Sequence, residues 1–524
     1  MVLKEVQEKT GLDPYNDGLI IKTTVDSKAQ QRLYDIVNTT EYIEYIDDKI
    51  QNAVVMIDNK TGAIRAINGG RKQTTLLGYN RATDNSRSTG STIKPIIDYG
   101  PAIEYLNYST GQTIVDQRTT YSNGVELNNW DFDYKGSMTL RTALVYSRNT
   151  TALQTFKAVG ETNIKSFLKN LDIQITNDGK DYLVESNSIG ADISPIKMAA
   201  AYATFANYGT YSKPYTVSKV TTRDGQEYEF KPEQKQAIKD STAYMITDVL
   251  KDSFKYGFAT QVAIDGLPTA AKTGSSNYTT EQKLAMGASE YENIIPDSWF
   301  IGYSTDYTIS VWTGYDNPYV EGGGLNQTEQ TYPKWIYYYL MQYMAQFSSR
   351  DDWEQPDSVV KQQIEVGSNP LSLPGPRTPA NMIANELFVK GHVPTQQSTH
   401  YGTRIDGPTG LKATYDKTKK TLSVSWDNYQ SNSREKPQYQ VTVNGQTQTV
   451  STNKVTFQNI SGPSVSVTLV VRVGKDSSDP ITNEFKLEQP TTAEDRTTQQ
   501  NQQQNNRQQN NNNNEQTTQE ARNQ

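Results

Sequence analysis

Two hydrophobic periods recur along the chain. Between residues 49 and 350 they mix. Ala53-Val-Val-Met-Ile57, a turn over Asp58-Asn-Lys-Thr-Gly62 and then Ala63-Ile-Arg-Ala-Ile67 predict a β-hairpin, and Asp297–Tyr303 with Tyr307–Trp312 predict a second. Helical spacing fills the interval, over 138–158, 197–207 and 240–255. Strands at both ends with helices inserted between them predict an α+β domain, an α/β sandwich whose sheet joins the two ends. In 1–48, Asp26 reads as an N-cap, with Ala29, Leu33, Ile36 and Val37 on one helix face. From 351 to 404 turn formers dominate, among them Pro370, Pro374-Gly375-Pro376 and Pro379, and predict an extended wrap or linker. Residues 405–488 change to strict alternation. Leu422–Trp426, Tyr439–Val443, Val455–Phe457 and Val465–Leu469, with the hairpin signal Asn444-Gly445, predict a small β-sandwich. From Gln499 to Asn514 every residue except Arg507 is Gln or Asn, so 489–524 reads as a disordered tail. No internal repeat is evident.

Composition narrows the chemistry. The 524 residues carry 51 basic and 58 acidic side chains, a net charge of −7, which disfavours a non-specific nucleic-acid binder. Cysteine is absent, excluding disulfides, thiol catalysis and thiolate metal sites. The two histidines, His392 and His400, lie close together late in the chain, so a His-based mechanism could operate only there. No apolar run approaches the ~20 residues that span a bilayer, and no signal peptide opens the chain. The start at Met1-Val2, inside an ordinary-looking segment, suggests a piece of something longer.

A nucleophilic enzyme of this composition needs Ser or Thr activated by Lys. Ser91-Thr-Ile-Lys94, preceded by Gly90, offers that pair at the start of an apolar helical face, Ile93, Ile96 and Ile97. Lys94 falls on the same face as Ser91. Burial can lower its proton affinity until it serves as a base. The spacing alone is weak, since it recurs at Ser166–Lys169, Ser194–Lys197, Ser358–Lys361 and Ser451–Lys454. Lys-Thr-Gly likewise occurs at Lys9–Gly11, Lys60–Gly62 and Lys272–Gly274, the last flanked by the small residues Ala270-Ala271 and Ser275-Ser276. Ser147-Arg148-Asn149 follows an apolar helical run, Leu140–Val145.

The order Ser91–Lys94, Ser147–Asn149, Lys272–Gly274 is the three-motif signature shared by penicillin-binding proteins and class A β-lactamases. With its contexts Asn129-Trp130, Thr139-Leu-Arg141, Ser194–Asn207, Trp299–Tyr303 and Trp312–Pro318, the chain over about 1–395 resembles the class A penicillin-binding proteins, of the streptococcal 1A type. The β segment 405–488 resembles a fibronectin type III-like module, through its pattern and the strand-borne Trp426.

The resemblance implies a transpeptidase-like domain over 49–350, preceded by a connector (1–48) that normally follows a glycosyltransferase domain. That glycosyltransferase half is missing here, and the parent would be membrane-anchored and bifunctional. It implies Ser91 as nucleophile on a D-Ala-D-Ala stem peptide, Lys94 as base, Ser147 as proton relay and Asn149 as an orienting group. Lys272 would supply positive potential, and Thr273, Gly274 and Ser275 would form the substrate-binding edge, with Ser91 and Ser275 N–H groups as oxyanion donors. Ser275 stands where the family often has Thr, which keeps the hydroxyl and loses a methyl. No cofactor or metal is implied. The implied partners are peptidoglycan stem peptides as donor and acceptor, β-lactam antibiotics and proteins of cell division or elongation, outside the membrane of a Gram-positive cell. A β-lactamase would be about half this length. A D,D-carboxypeptidase would use the same residues, and a non-catalytic β-lactam-binding sensor or wall scaffold is the reading from another class.

Overall fold

A computed structural model of the chain describes residues 1–431, 433 and 435–487. Its described residues form two compact units, one of Met1–Leu373 with Asn381–Gln396, the other of Pro374–Ala380 and the described residues from Gln397 to Leu487. Among the described residues no helix is long and apolar enough to cross a membrane.

The first unit is built on a five-stranded antiparallel sheet: β1 (Gln51–Asp58), β2 (Ile64–Asn68), β3 (Ala270–Ser275), β4 (Asp297–Tyr303) and β5 (Tyr307–Gly314). The spatial order is β3-β4-β5-β1-β2, so both hairpins form and the two ends of the domain meet where β5 pairs with β1, from Tyr307↔Asp58 to Gly314↔Gln51. Successive side chains of a strand face opposite sides. Val54 and Met56 enter one core with Phe300, Ile309 and Val311, while Val55, Ile57, Trp299 and Ile301 enter the other. That is why β1 reads as a continuous apolar run: the sheet is covered on both faces.

The helices divide accordingly. Among them are α1 (Ser27–Asn38), α2 (Asn149–Val159), α3 (Pro195–Ala206), α4 (Asp240–Lys251) and α5 (Tyr332–Met344). Leu33 and Ile36 of α1 and Ile336 and Leu340 of α5 pack in the first core, and residues of α2, α3 and α4 in the second. Asp26 caps α1, its Oδ1 accepting from Lys28 N and Ala29 N at 2.9 Å each. The predicted helix over 138–158 is interrupted. A strand, Gly136–Thr139, leads into a short helix, Leu140–Val145, and the chain breaks at Tyr146–Arg148 before α2 begins.

Residues 1–48 are integrated into this unit, since Ile20–Thr23 pairs with Val217–Thr221. The stretch expected to be a wrap or linker carries a paired hairpin, Val359–Glu365 with Ile383–Val389. Its four named prolines all fall between the two strands, whereas Val359, Ile364, Leu387 and Phe388 give the hairpin a buried side. Glu386 ties the hairpin to the domain, accepting from Thr110 Oγ1 at 2.6 Å and Arg141 Nε at 2.9 Å.

The second unit is a β module. One of its sheets contains Gln438–Val443 and Ser464–Val473, the other Lys412–Asp416, Thr421–Ser425 and Lys454–Phe457. Val424, Trp426, Val441, Phe457 and Leu469 share its core. The Gln/Asn-rich tail lies outside the described residues.

Candidate active site

The Ser91 segment is one continuous helical run of changing pitch: a 3₁₀ turn Gly90–Ile93, a π turn Pro95–Tyr99 and an α-helix Gly100–Leu106. In a 3₁₀ turn, residues three apart eclipse, which aligns Ser91 with Lys94 more directly than a regular α-helix would. The run is pinned from several sides. Tyr202 OH donates to Thr92 O at 2.6 Å, Trp299 Nε1 donates to Ser88 O at 2.8 Å, and Lys94 N–H closes on Ser91 O. Gly90, at φ +50°, lies against the end of β3, where a β-carbon would overlap Ser275 O and stand 2.6 Å from Ser275 N. Gly274 meets the run from the other side, its missing β-carbon 2.8 Å from Thr92 N. Two glycines therefore let the Ser91 turn and the edge strand touch through their backbones.

Lys94 is fully buried. Its Nζ reaches Ser147 O at 2.8 Å, Asn149 Oδ1 at 2.8 Å, Arg148 O at 3.1 Å and Ser147 Oγ at 3.4 Å; Ser91 Oγ is not among these partners. Lys272 arrives from β3 and donates to the same Ser147 Oγ at 2.8 Å and to Thr273 O at 3.0 Å. Four of the residues singled out from sequence, Lys94, Ser147, Asn149 and Lys272, thus come together, and Ser91 is half-buried one turn from Lys94. Thr273 is half-buried, Gly274 buried and Ser275 exposed at the outer end of β3, the terminal strand of the sheet.

Ser147 adopts a left-handed backbone, φ +55°, uncommon for a residue with a side chain. Its neighbour holds it there. Arg148 is buried and donates through Nε to Asp116 Oδ2 and through Nη1 to Asp131 Oδ2, both at 2.8 Å, and through Nη2 to Asp133 O. Asp116 also accepts from Thr150 Oγ1 at 2.6 Å and Asn129 Nδ2 at 2.7 Å. Asn149 is fixed at both ends, its N–H donating to Asn129 Oδ1 at 2.7 Å and its amide to Asn128 O at 2.8 Å. Sequence reading used Arg148 and Asn129 only as motif context and passed over Asp116, whose partners are scattered from 116 to 150.

Burial dominates the electrostatics. It brings Lys94 down to about 7, an effect opposed by Asp98 and reinforced by Arg148. Burial also lowers Lys272 well below the usual lysine range, and the like charge of Lys94 adds to it. Asp116 runs the other way. Burial alone would raise it, but hydrogen bonds from Thr150, Lys135 N–H and Asn129 and the Arg148 charge leave it below the ordinary carboxyl value. An amine able to lose its proton near neutrality, beside a hydroxyl shared with a second amine, is equipped for proton transfer to and from a neighbouring nucleophile.

The competing motifs lie elsewhere. Ser194 precedes the Pro195 start of α3 and Lys197 is exposed. Ser358 Oγ is engaged by Asp240 at 2.7 Å. Lys9-Thr-Gly11 ends a helix, and Lys60–Gly62 forms the turn of the first hairpin.

Comparison with known proteins gives a consistent result. The family model for the penicillin binding protein transpeptidase domain matches residues 52–337, and that for the penicillin-binding protein 1A C-terminal domain matches 355–403, the segment containing the added hairpin. Penicillin-binding protein 1A/1B of Bacillus subtilis is 39% identical over 441 residues, 81% of this chain and 46% of that protein. Penicillin-binding protein 1A of Streptococcus pneumoniae is 38% identical over 393 residues, 72% of this chain and 54% of that one. The chain spans about half the length of these curated relatives. Among solved structures, penicillin-binding protein PonA1 from Mycobacterium tuberculosis is similar with a TM-score of 0.58 at 23% identity, over 70% of this chain and 94% of that one. Penicillin-binding protein 1A from Haemophilus influenzae is similar at 0.60 and 18% identity, over 75% and 76%. These two likenesses are of fold.

Proposed function

The chain belongs to the penicillin-binding protein transpeptidase family, and from that premise we propose that it is a serine D,D-transpeptidase that cross-links peptidoglycan stem peptides through a Ser91 acyl-enzyme. The observation that carries this reading is the Lys94 amine, buried, held near neutrality and bonded to both Ser147 and Asn149, one eclipsed turn from Ser91.

Ser91 Oγ attacks the carbonyl carbon joining the two terminal D-alanines while its proton passes to Lys94 Nζ. The tetrahedral oxyanion faces the N–H groups of Ser91 and Ser275, brought close by Gly90 and Gly274. One such donor contributes about 3 kcal/mol of transition-state stabilisation. Collapse breaks the C–N bond, and a proton relayed by Ser147 leaves with the departing D-alanine amine. Asn149 orients Lys94, and Lys272 places positive potential near the substrate carboxylate, which Thr273 and Ser275 hydroxyls receive. The edge of β3 suits an extended peptide, because a terminal strand has backbone groups free to pair. An amine from a second stem peptide then attacks the ester carbonyl and releases Ser91. A β-lactam opens at the same step but keeps its leaving nitrogen tethered, so the serine stays acylated. The M. tuberculosis PonA1 protein, which shares the fold, has been solved in complex with penicillin V. Such an enzyme works at the outer face of the cell membrane, in the wall.

Intact-protein mass after incubation with benzylpenicillin tests the reading. A stable one-to-one adduct on wild type, absent from Ser91→Ala, is the expected result. Consumption of the drug without an adduct would instead indicate a β-lactamase. Turnover of a stem-peptide analogue distinguishes the enzyme from a β-lactam-binding sensor, and its partition between water and an added amine measures any carboxypeptidase activity.

A further inference from the structure

Asp98 is used by none of the steps above. It lies four residues after Lys94, on the π turn Pro95–Tyr99. At the π-turn pitch this places it on nearly the same face as Lys94. The residue is fully buried, and neither carboxyl oxygen has a hydrogen-bond partner among the described residues. Its sequence neighbours Ile96, Ile97, Tyr99 and Ala102 are all buried in the core. An orphaned buried carboxyl is costly and calls for a reason.

The other charged groups on the elements packed near this turn are otherwise engaged. Glu104 accepts from Thr242, Arg141 is held by Asp248, Asp252 and Glu386, Lys157 pairs with Glu185 and Lys165 with Glu161, while Lys169 is exposed. Arg148 is clamped by Asp116 and Asp131, and Lys272 points to Ser147. Tyr99 OH is bonded to Thr151. Lys94 is the charge that acts on Asp98, and Asp98 is the acid that acts on Lys94.

We propose that Asp98 is a positioning residue for acylation: a buried carboxyl, one turn behind Lys94, whose field keeps the amine basic enough to take the Ser91 proton. This rests on the transpeptidase reading and deepens it. Burial makes Lys94 neutral, which a base requires, but unopposed burial would also make it too weak to hold a proton in the transition state. The carboxyl opposes that loss as charge appears on Nζ. It exchanges no atom with the substrate. The proton moves from Ser91 Oγ to Lys94 Nζ, and Asp98 acts on the energy of the product ammonium. Burial raises the Asp98 carboxyl and the Lys94 charge opposes that rise, so each group acts on the other.

The test is the pH profile of benzylpenicillin acylation by wild type, Asp98→Asn and Asp98→Leu, each first checked for cooperative urea unfolding. With the carboxyl removed, Lys94 loses its proton at lower pH. The acid limb should therefore move to lower pH in both variants while the plateau rate falls, more in Asp98→Leu, which has no oxygen at this position. Where the limb moves from about 7 down by a full pH, the ratio of the rate at pH 6 to that at pH 8 rises about fivefold. A lower plateau with the limb unmoved would reduce Asp98 to a packing role and overturn the proposal. A limb moved to higher pH, or failure of both variants to fold, would overturn it as well. Absence of an adduct on wild type would instead sink the transpeptidase reading, and this proposal with it.

Discussion

Replacing Gly90 by Ala tests how the Ser91 turn and the edge strand are held together. Gly90 is at φ +50°, where a side chain costs roughly 1–2 kcal/mol. The added β-carbon would also stand 2.6 Å from two backbone atoms of Ser275, against ordinary contacts of about 3.5–4.0 Å. Neither partner is the end of a flexible side chain. Ser275 is paired to Ser298 in the sheet, and the Ser91 turn is pinned by Tyr202 and Trp299, so the two must separate by about 1 Å. Misplacement of that size costs on the order of 10²-fold in rate, and loss of one oxyanion donor about 10²–10³-fold. Gly90→Ala should therefore lower the second-order rate of benzylpenicillin acylation by about 10²–10³, with a stability loss of roughly 1–3 kcal/mol in urea. Gly124→Ala is the control. Gly124 is also left-handed, at φ +85°, but nothing lies within 4 Å of its β-carbon position. It should lose comparable stability from the backbone and keep its acylation rate. If folded Gly90→Ala acylates within about threefold of wild type, the close approach does not position the donors and the argument is wrong.

Three further outcomes are expected. Lys94→Ala should abolish adduct formation while urea unfolding stays cooperative; unchanged acylation would mean the base is misassigned. Acylation should rise as pH increases through about 7 and level off above it, because Lys94 accepts a proton only when neutral and burial brings it down to that value; a rate flat from pH 5.5 to 8.5 would contradict this. Arg148→Met should cost about 3–5 kcal/mol, since it strands Asp116 in a buried site, and a loss under 1 kcal/mol in urea unfolding would show that the hydrogen bonds to Thr150 and Asn129 suffice without it.

The sheet was legible because its central strands obey short-range rules. The two hairpins announce themselves through apolar runs bounded by turn residues, and chain order alone pairs the ends of the domain. The three motifs were legible for a different reason: each is a contiguous triplet or quartet, and their order is specific where each alone is not. What escaped depends on distant partners. The residues on either side of the prolines at 370–379 pair as a hairpin, and its anchor Glu386 bonds to Thr110 and Arg141 far back in the chain, partners that no local pattern announces. The break in the 138–158 helix is similar. Apolar spacing continues across Ser147, and the force that breaks it comes from Asp116 and Asp131 acting on Arg148. Asp98 carried a readable signal, a single acid in the run Ile96-Ile97-Asp98-Tyr99, but period analysis treats one polar residue on a helix as a solvent position.

The break at Ser147 also explains why two lysines can share one hydroxyl. Had the helix run on, Ser147 would follow its face; instead the left-handed turn, clamped by Arg148, aims Oγ at both Lys94 and Lys272. Burial disfavours the charged form of each lysine, and the like charge of Lys94 adds to that effect on Lys272, so two ammonium groups together are disfavoured here. A hydroxyl has one proton to give and can accept from elsewhere. With Lys94 neutral and Lys272 the donor, Ser147 accepts from Lys272 and is left free to pass its own proton onward. In the proposed acylation, once Lys94 has taken the Ser91 proton the repulsion between the amines would grow, and loss of a proton from the cluster would relieve it. The departing amine is the group able to remove it. On that reading the site would be most strained as cation when the leaving group needs a proton, and the coupling would run through Ser147, which lies between the two lysines with the Arg148 ion pairs behind it.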